Sequence, residues 1–196
     1  LQNSAILAGG STPTKVTCTE EYDGSTWATG GALNVARDNT GMSGTQNAAL
    51  ITGGVINTSV NCTEEYNGST WAVANGHCVT RKAGFMGGTQ NATFYSGGLN
   101  TWPTQLSCTE HYNGIVWSDG AAMITARSNG GSAGTQTAGL AAAGEVGSSP
   151  YFVSCTEEYT SYISSSYFGR VDATTIVGSC IGFKNCMPEG VLSSSY

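Results

Sequence analysis

The chain has little charge, few basic residues and no long apolar segment, and each shortage excludes a class of partner. Charged residues make up 10% of its 196 residues, and only seven are Lys or Arg. With a net charge of −6 the chain offers no basic patch for phosphate groups, so nucleic acid is not an expected partner. No run approaches the roughly 20 apolar residues of a membrane-spanning helix, and no membrane partner is expected either.

A helical pattern is also missing. No segment repeats apolar residues at i, i+3, i+4 and i+7, whereas 28 glycines and many Ser and Thr residues separate short apolar runs. This composition is typical of short strands joined by tight turns, and the length suits one compact domain. The sequence therefore predicts an all-β fold.

The most informative feature is an internal repeat. Four cysteines open similar segments at intervals of 44, 46 and 47 residues: Cys18, Cys62, Cys108 and Cys155. Each full unit has a Gly-Thr-Gln opening, an apolar run, the CTEEY or CTEHY segment, an Asp-Gly or Asn-Gly turn, a Trp and an Arg. Segments near 37–44, 47–52, 61–66 and 70–75 predict four strands per unit, and the Asn-Gly pair predicts a two-residue hairpin turn. Four strands in about 45 residues is the pattern of a propeller blade.

Three signatures in this repeat resemble the kelch repeat: a Gly-Gly pair, a later Tyr, and a Trp five residues after that Tyr. The Gly-Gly pairs are Gly9-Gly10, Gly53-Gly54 and Gly97-Gly98, and the match covers residues 1 to about 162. The fourth unit departs from it with Ala143-Gly144 and with Tyr162 at the Trp position. The sequence of the repeat units also resembles kelch-like arrays in structural proteins of marine bacteriophages. Segments 167–178 and 190–195 resemble serine-rich modules of phage fibres. The resemblance implies a small kelch-like β-propeller of about four blades.

The predicted units lie near 1–33, 34–78, 79–123 and 124–162. The first unit lacks its inner strand, because residues 1–7 align with residues 45–51. Segment 170–178 is rich in β-branched residues, and we expect it to supply that strand and close the ring, which would remove an exposed edge. Residues 163–196 then comprise the closing strand and a Ser-rich tail. Alternatively, Arg170 opens a fifth blade that a second subunit completes.

Residues that recur in every unit are predicted to be structural, because an active site is a single asymmetric arrangement. One carboxylate and one arginine per unit predict a bidentate ion pair between blades rather than the paired carboxylates of a glycosidase. The tryptophans are expected to pack between blades, and the repeat cysteines to pack as small apolar groups. No metal site and no cofactor is predicted, and Cys180 and Cys186 are candidates for a local disulfide. The repeated residues are Glu20, Glu64, Glu110, Glu157, Arg37, Arg81, Arg127, Arg170, Trp27, Trp71 and Trp117.

Residues that break the repeat are the candidates for ligand binding, since loops that differ among similar blades can carry individual functions. They are Trp102, His111, His77, Tyr151 and Phe152. No nucleophile elbow, HExxH or nucleotide-binding loop accompanies the two histidines. These residues therefore predict a binding surface, and the chain is not expected to be an enzyme.

The resemblance and these residues together predict a structural or adhesive module of a phage virion, as a fibre, tail or decoration protein. Its expected location is the virion or the extracellular space. Its expected partners are other virion or filament subunits, a second copy of itself in a homo-oligomer, and a host-surface glycan. The alternatives are a subunit of an extracellular filament and a propeller-type glycan-active enzyme domain. Buried carboxylates clustered in one central pocket would indicate the enzyme, whereas symmetric Arg–Glu pairs and an exposed aromatic patch would indicate the binding module.

Overall fold

The computed structural model describes residues 3–148 and 151–160, and the backbone of residues 175–178. All regular elements in these ranges are antiparallel strands, and they form four sheets, which we call blades 1 to 4. Within the same ranges no helix is long and apolar enough to cross a membrane. Blade 1 contains β1 (Ala5–Ala8), β2 (Thr19–Tyr22) and β3 (Trp27–Thr29), and blade 2 contains β4 (Gly41–Thr45), β5 (Ala48–Thr52), β6 (Thr63–Tyr66) and β7 (Trp71–Ala74). Blade 3 contains β8 (Phe85–Thr89), β9 (Ala92–Ser96), β10 (Thr109–Tyr112) and β11 (Trp117–Gly120), and blade 4 contains β12 (Gly131–Thr135), β13 (Ala138–Ala142), β14 (Thr156–Thr160) and β15 (Thr175–Gly178).

Each blade is a meander in which neighbouring strands follow one another in the chain. The second strand of blades 2 and 3 is buried on both faces, because a blade lies on either side of each. In β5, Ala49, Leu50 and Ile51 are fully buried, and in β9 the ring of Tyr95 is fully buried. The core is therefore a series of layers between blades rather than one central cluster.

The turn between the third and fourth strands uses the side chain of its first residue. The Asn67 Oδ1 atom accepts the backbone N–H groups of Ser69 at 3.0 Å and Thr70 at 2.9 Å. Gly68 has a φ of 91°, which glycine adopts without steric cost. Four residues separate the paired Tyr66 and Trp71, so the expected two-residue turn is wrong. The asparagine cap explains the longer loop, because it satisfies the N–H groups that a tighter turn would pair directly.

The blades pack side by side through their inner strands. β8 contacts both β4 and β12. Hydroxyl groups link neighbouring blades: Ser43 Oγ of β4 lies 2.6 Å from Thr93 Oγ1 of β9, and Ser132 Oγ of β12 is within 2.9 Å of the backbone N and O of Met86 of β8. The fold is all-β and propeller-like, as the sequence predicts, and no single sheet closes on itself among the described residues.

The C-terminal strand does not lie where the sequence pattern placed it. β15 pairs with β14, with Glu157 opposite Gly178 and Thr160 opposite Thr175, and so forms the outer strand of blade 4. The prediction that it supplies the inner strand of blade 1 is wrong, and blade 1 has three described strands. Extending the nearest sheet needs a shorter connection than crossing to another blade. Arg170 and Tyr162 lie outside the described residues, and the boundary at residue 162 stays a prediction.

Candidate functional site

Three short segments join one blade to the next, and we call them connectors: residues 33–37, 77–81 and 123–127. Each begins with a buried residue, which is Leu33, His77 or Met123, and each ends with an arginine that is fully buried. A buried guanidinium group requires a negative partner and hydrogen-bond acceptors, because desolvation of a charge is costly. The connectors therefore place the buried arginine charges of the core.

Arg37 contacts two blades at once. Its Nη2 atom forms an ion pair with Glu64 of blade 2, and its Nη1 atom donates to the Cys62 carbonyl at 2.7 Å. Its own carbonyl accepts the N–H of Gly10 of blade 1 at 2.8 Å. The arrangement recurs as Arg81 with Glu110 and Gly54, and as Arg127 with Glu157 and Gly98. The predicted ion pair between blades is confirmed in these three cases.

The expected bidentate geometry is not formed. In each pair one arginine nitrogen faces the carboxylate, while the other nitrogen binds backbone carbonyls. The second carboxylate oxygen accepts a backbone N–H of the connector, from Asn34 to Glu64 at 2.8 Å and from Cys78 to Glu110 at 2.5 Å. A backbone N–H of the connector therefore donates the second hydrogen bond to the carboxylate, which a bidentate guanidinium group would otherwise donate. In blade 1, Glu20 is exposed and has no such pair among the described residues.

Two of the three repeat tryptophans lie between blades, as predicted. The Trp71 indole N–H donates to Thr19 Oγ1 of blade 1 at 2.9 Å, and Trp117 donates to Thr63 Oγ1 of blade 2 at 3.3 Å. Trp27 occupies the same position in blade 1 but is 53% exposed, because no described blade precedes it. The predicted role of Trp27 in packing is therefore not met within the described residues.

A tyrosine–glutamate contact also repeats across the blade boundaries. Tyr66 donates to Glu21 of blade 1, and Tyr112 donates to Glu65 of blade 2 at 2.8 Å. Burial and the neighbouring carboxylate raise the pKa of both phenols. At the boundary of blades 3 and 4, His111 takes the place of the glutamate, and its ring meets Tyr159 edge-on with centroids 5.3 Å apart.

The prediction that His77 and His111 belong to a binding surface is wrong. Their exposed fractions are 0% and 9%, and burial lowers the pKa of both imidazoles. His77 fills the connector position that Leu33 and Met123 fill elsewhere, and its ring lies edge-on to Tyr95 and Trp117. A polar residue type suggested exposure, but the position in the repeat is an apolar one.

The other three predicted binding residues are exposed at loop positions. Trp102 is 63% exposed, Tyr151 55% and Phe152 72%, and we call these three the rim patch. They belong to the loops between the second and third strands of blades 3 and 4. These loops touch, because a Cβ atom added at Gly147 would lie 2.6 Å from the Pro103 carbonyl oxygen. The rim patch is therefore carried by two adjacent loops.

The repeat cysteines do not share one environment. Cys18 is exposed, Cys62 is half-buried and Cys108 is buried. Cys155 is disulfide-bonded, so its role as a packed thiol is not met. Cys180 and Cys186 lie outside the described residues. One further group is suited to a metal ion: Cys78, Glu110 and Asp119 each place a ligand atom within 4.8 Å of the other two.

Comparison with known proteins identifies the architecture. No protein-family model matches the chain, and no curated protein matches it. In contrast, 130 chains of solved structures match the fold. One of them is the structure of YjhT, which matches with a TM-score of 0.62 and 13% sequence identity. The likeness is one of fold. The alignment covers 74% of this chain and 48% of the YjhT chain, so this chain spans about half the length of that protein.

Proposed function

We propose that the chain is a non-enzymatic adhesive module of a phage virion, a fibre, tail or decoration protein that presents the rim patch to a host-surface glycan. The observation that carries the proposal is the exposure of Trp102, Tyr151 and Phe152 on two touching loops. Aromatic faces pack well against the apolar C–H face of a sugar ring, and large aromatics dominate the energetics of many interfaces. The resemblance to kelch-like phage arrays supports the virion setting.

The positions of the carboxylates also support a binding role. Glu64, Glu110 and Glu157 lie in three different blades, and each is engaged by an arginine and by connector N–H groups. Acid–base hydrolysis of a glycoside needs two carboxyl groups facing one bond. The repeated glutamates are instead distributed one to a blade, as a structural role requires.

Binding of bacterial surface glycans tests the proposal. The probe is an immobilised panel of lipopolysaccharides and capsular polysaccharides from candidate host bacteria. We expect the chain to bind a member of the panel, and Trp102→Ala or the pair Tyr151→Ala with Phe152→Ala to weaken that binding at least about tenfold, the loss of about 1.4 kcal/mol that an interface hot spot exceeds. Ile115→Ala is the matched control, because Ile115 is 70% exposed but lies in a turn of blade 3 away from the two loops. Equal binding by the control and the rim variants would refute the role of the patch, and failure of the wild-type chain to bind the panel would refute the adhesive function.

A second candidate, a subunit that assembles end to end, is favoured by the two ends of the array. At one end Trp27 is exposed, and at the other end Thr156 is exposed. Inside the array the equivalent residues Trp71 and Thr19 form a buried hydrogen bond. The two ends of one chain are therefore complementary to each other, and a second copy is the occupant that fits them. Two copies would make eight blades, within the usual range for a propeller ring.

The mass of the chain in solution tests this candidate. Light scattering at dilute and concentrated protein should give a dimer or a larger assembly, and Trp27→Ala should shift it toward the monomer. Val73→Ala is the control, since Val73 is 74% exposed on the outer strand of blade 2. A monomer at all concentrations would exclude assembly of this chain with itself, and it leaves the glycan test unaffected.

A further inference from the structure

Four residues that depart from the repeat or belong to its ion pairs meet at one place between blades 2 and 3. In the second connector His77 and Cys78 stand where the first connector has Leu33 and Asn34. On β11, Asp119 stands opposite Glu110, whereas the equivalent position opposite Glu64 in blade 2 is Val73. Three independent departures thus surround the repeat carboxylate of blade 3.

The three side chains with charged or sulfur ligand atoms are arranged as a metal site requires. One atom from each of Cys78, Glu110 and Asp119 lies within 4.8 Å of the others. Cys78 and Asp119 are exposed, whereas Glu110 is buried. An ion could therefore enter from solvent and meet Glu110 at the base of the group.

His77 supplies a second and independent indication. Its side chain is fully buried, and its Nε2 atom makes no hydrogen bond within the part of the chain that the structure describes. Its Nδ1 atom lies 3.5 Å from Glu110 Oε2 and so points toward the cluster. A buried polar atom without a partner, such as this Nε2, is costly and rare, and the other two connectors avoid it with an apolar residue. The imidazole is therefore placed to orient the Glu110 carboxylate beside an ion held by the cluster.

The charges suit a divalent ion. With the thiol deprotonated, Cys78, Glu110 and Asp119 carry three negative charges, and Arg81 beside Glu110 offsets one of them. A divalent cation would neutralise the remaining two. Its binding releases the thiol proton to solvent, so that the sulfur binds as thiolate.

We infer that Cys78, Glu110 and Asp119 form a binding site for Zn²⁺, with His77 as a positioning residue for Glu110. A mixed set of thiolate and carboxylate donors suits Zn²⁺ rather than Ca²⁺ or Mg²⁺, which prefer oxygen alone. The ion joins the second connector to β10 and β11, and so reinforces one boundary between blades. No other described connector has the same donors.

Metal binding to the intact, metal-free chain tests the site, with Zn²⁺ measured by competition against a chromophoric chelator and Co²⁺ as a spectroscopic probe. We expect about one Zn²⁺ per chain and a thiolate-to-cobalt charge-transfer absorption. Cys78→Asn and Asp119→Val install the residues that stand at the equivalent positions between blades 1 and 2, Asn34 and Val73. Each change should weaken Zn²⁺ binding by at least about tenfold, since even changes to residues that only support metal ligands do so. Cys78→Asn should also abolish the cobalt–thiolate absorption.

Two further variants keep the inference falsifiable. His77→Leu installs the residue of the first connector, should leave the chain folded, and should weaken Zn²⁺ binding by about 10- to 100-fold. Cys18→Ser removes an exposed thiol outside the cluster and should leave binding unchanged. The inference is wrong if the wild-type chain binds no Zn²⁺, or if Cys78→Asn and Asp119→Val bind it as tightly as the wild type does.

Discussion

Replacement of Glu64 by Gln should be among the most damaging single changes in the chain. Glu64 is 1% exposed and accepts hydrogen bonds from Arg37, from the Asn34 backbone N–H and from the Asn34 side chain, the last two at 2.8 Å. The amide has nearly the same shape but carries no charge. The Arg37 guanidinium group, which is fully buried, would then lack its counter-ion.

The expected magnitude follows from that burial. Removing one partner of a buried ion pair costs about 3–5 kcal/mol, because the remaining charge stays desolvated and uncompensated. For a chain of this size each 1 kcal/mol corresponds to roughly 2–4 °C in the unfolding temperature, so the midpoint should fall by roughly 6–20 °C. Glu20→Gln is the matched control, because Glu20 occupies the same repeat position in blade 1 but is exposed. That change should cost less than about 0.5 kcal/mol, as is usual at exposed positions.

Urea unfolding followed by tryptophan fluorescence measures both variants. The midpoint concentration should fall clearly for Glu64→Gln and hardly at all for Glu20→Gln, with similar slopes because the exposed surface on unfolding is similar. If the two variants differ in free energy of unfolding by less than about 1 kcal/mol, burial of the pair does not decide its contribution and the reasoning fails.

Three further predictions follow from the same contacts. Trp71→Phe removes an N–H bonded to a buried threonine hydroxyl and should cost about 1–3 kcal/mol in urea unfolding, whereas Trp27→Phe should be nearly neutral; equal losses would contradict the role of the boundary. Gly31→Ala brings a Cβ to 2.0 Å from a backbone carbonyl oxygen of blade 2 and should lower the thermal midpoint, unlike Gly131→Ala, whose Cβ meets nothing within 4 Å; a neutral Gly31→Ala would contradict the close packing. The pKa of Asp23 is lowered by backbone N–H groups three and two residues further on, so its contribution to stability is present above the unfolded-state pKa and lost as pH falls through the lower folded-state pKa. An NMR titration of its carboxyl carbon measures this, and an unshifted midpoint would contradict the capping.

The strands could be predicted from sequence because their signals are local. Segments expected near 47–52, 61–66 and 70–75 are strands at Ala48–Thr52, Thr63–Tyr66 and Trp71–Ala74. Turn residues and apolar runs lie within each repeat and mark these boundaries directly. The ion pairs were also predictable, since one arginine and one glutamate recur in each unit and a charge buried in every blade requires a partner.

The remaining features depend on contacts that no single unit contains. Residue type suggested a surface position for His77, but alignment with Leu33 and Met123 would have indicated a buried one. The Cys78, Glu110 and Asp119 cluster combines a connector with two strands, and its signals in the sequence are departures from the repeat: Cys78 in place of Asn34 and Asp119 in place of Val73. The placement of β15 depends on which sheet edge is nearest, a property of the folded array that its β-branched composition does not encode.

The arginines at the ends of the connectors impose an order on folding during synthesis. Arg37 precedes Glu64 by 27 residues and Arg81 precedes Glu110 by 29, so each arginine leaves the ribosome before the strand that neutralises it. A newly made blade therefore carries an unneutralised guanidinium group at its trailing edge until most of the following blade exists. Because chains emerge at about 5–20 residues per second and domains fold as units, each boundary should become stable one blade later than the sheet that precedes it. The array should consequently assemble from its N-terminal end, one boundary at a time.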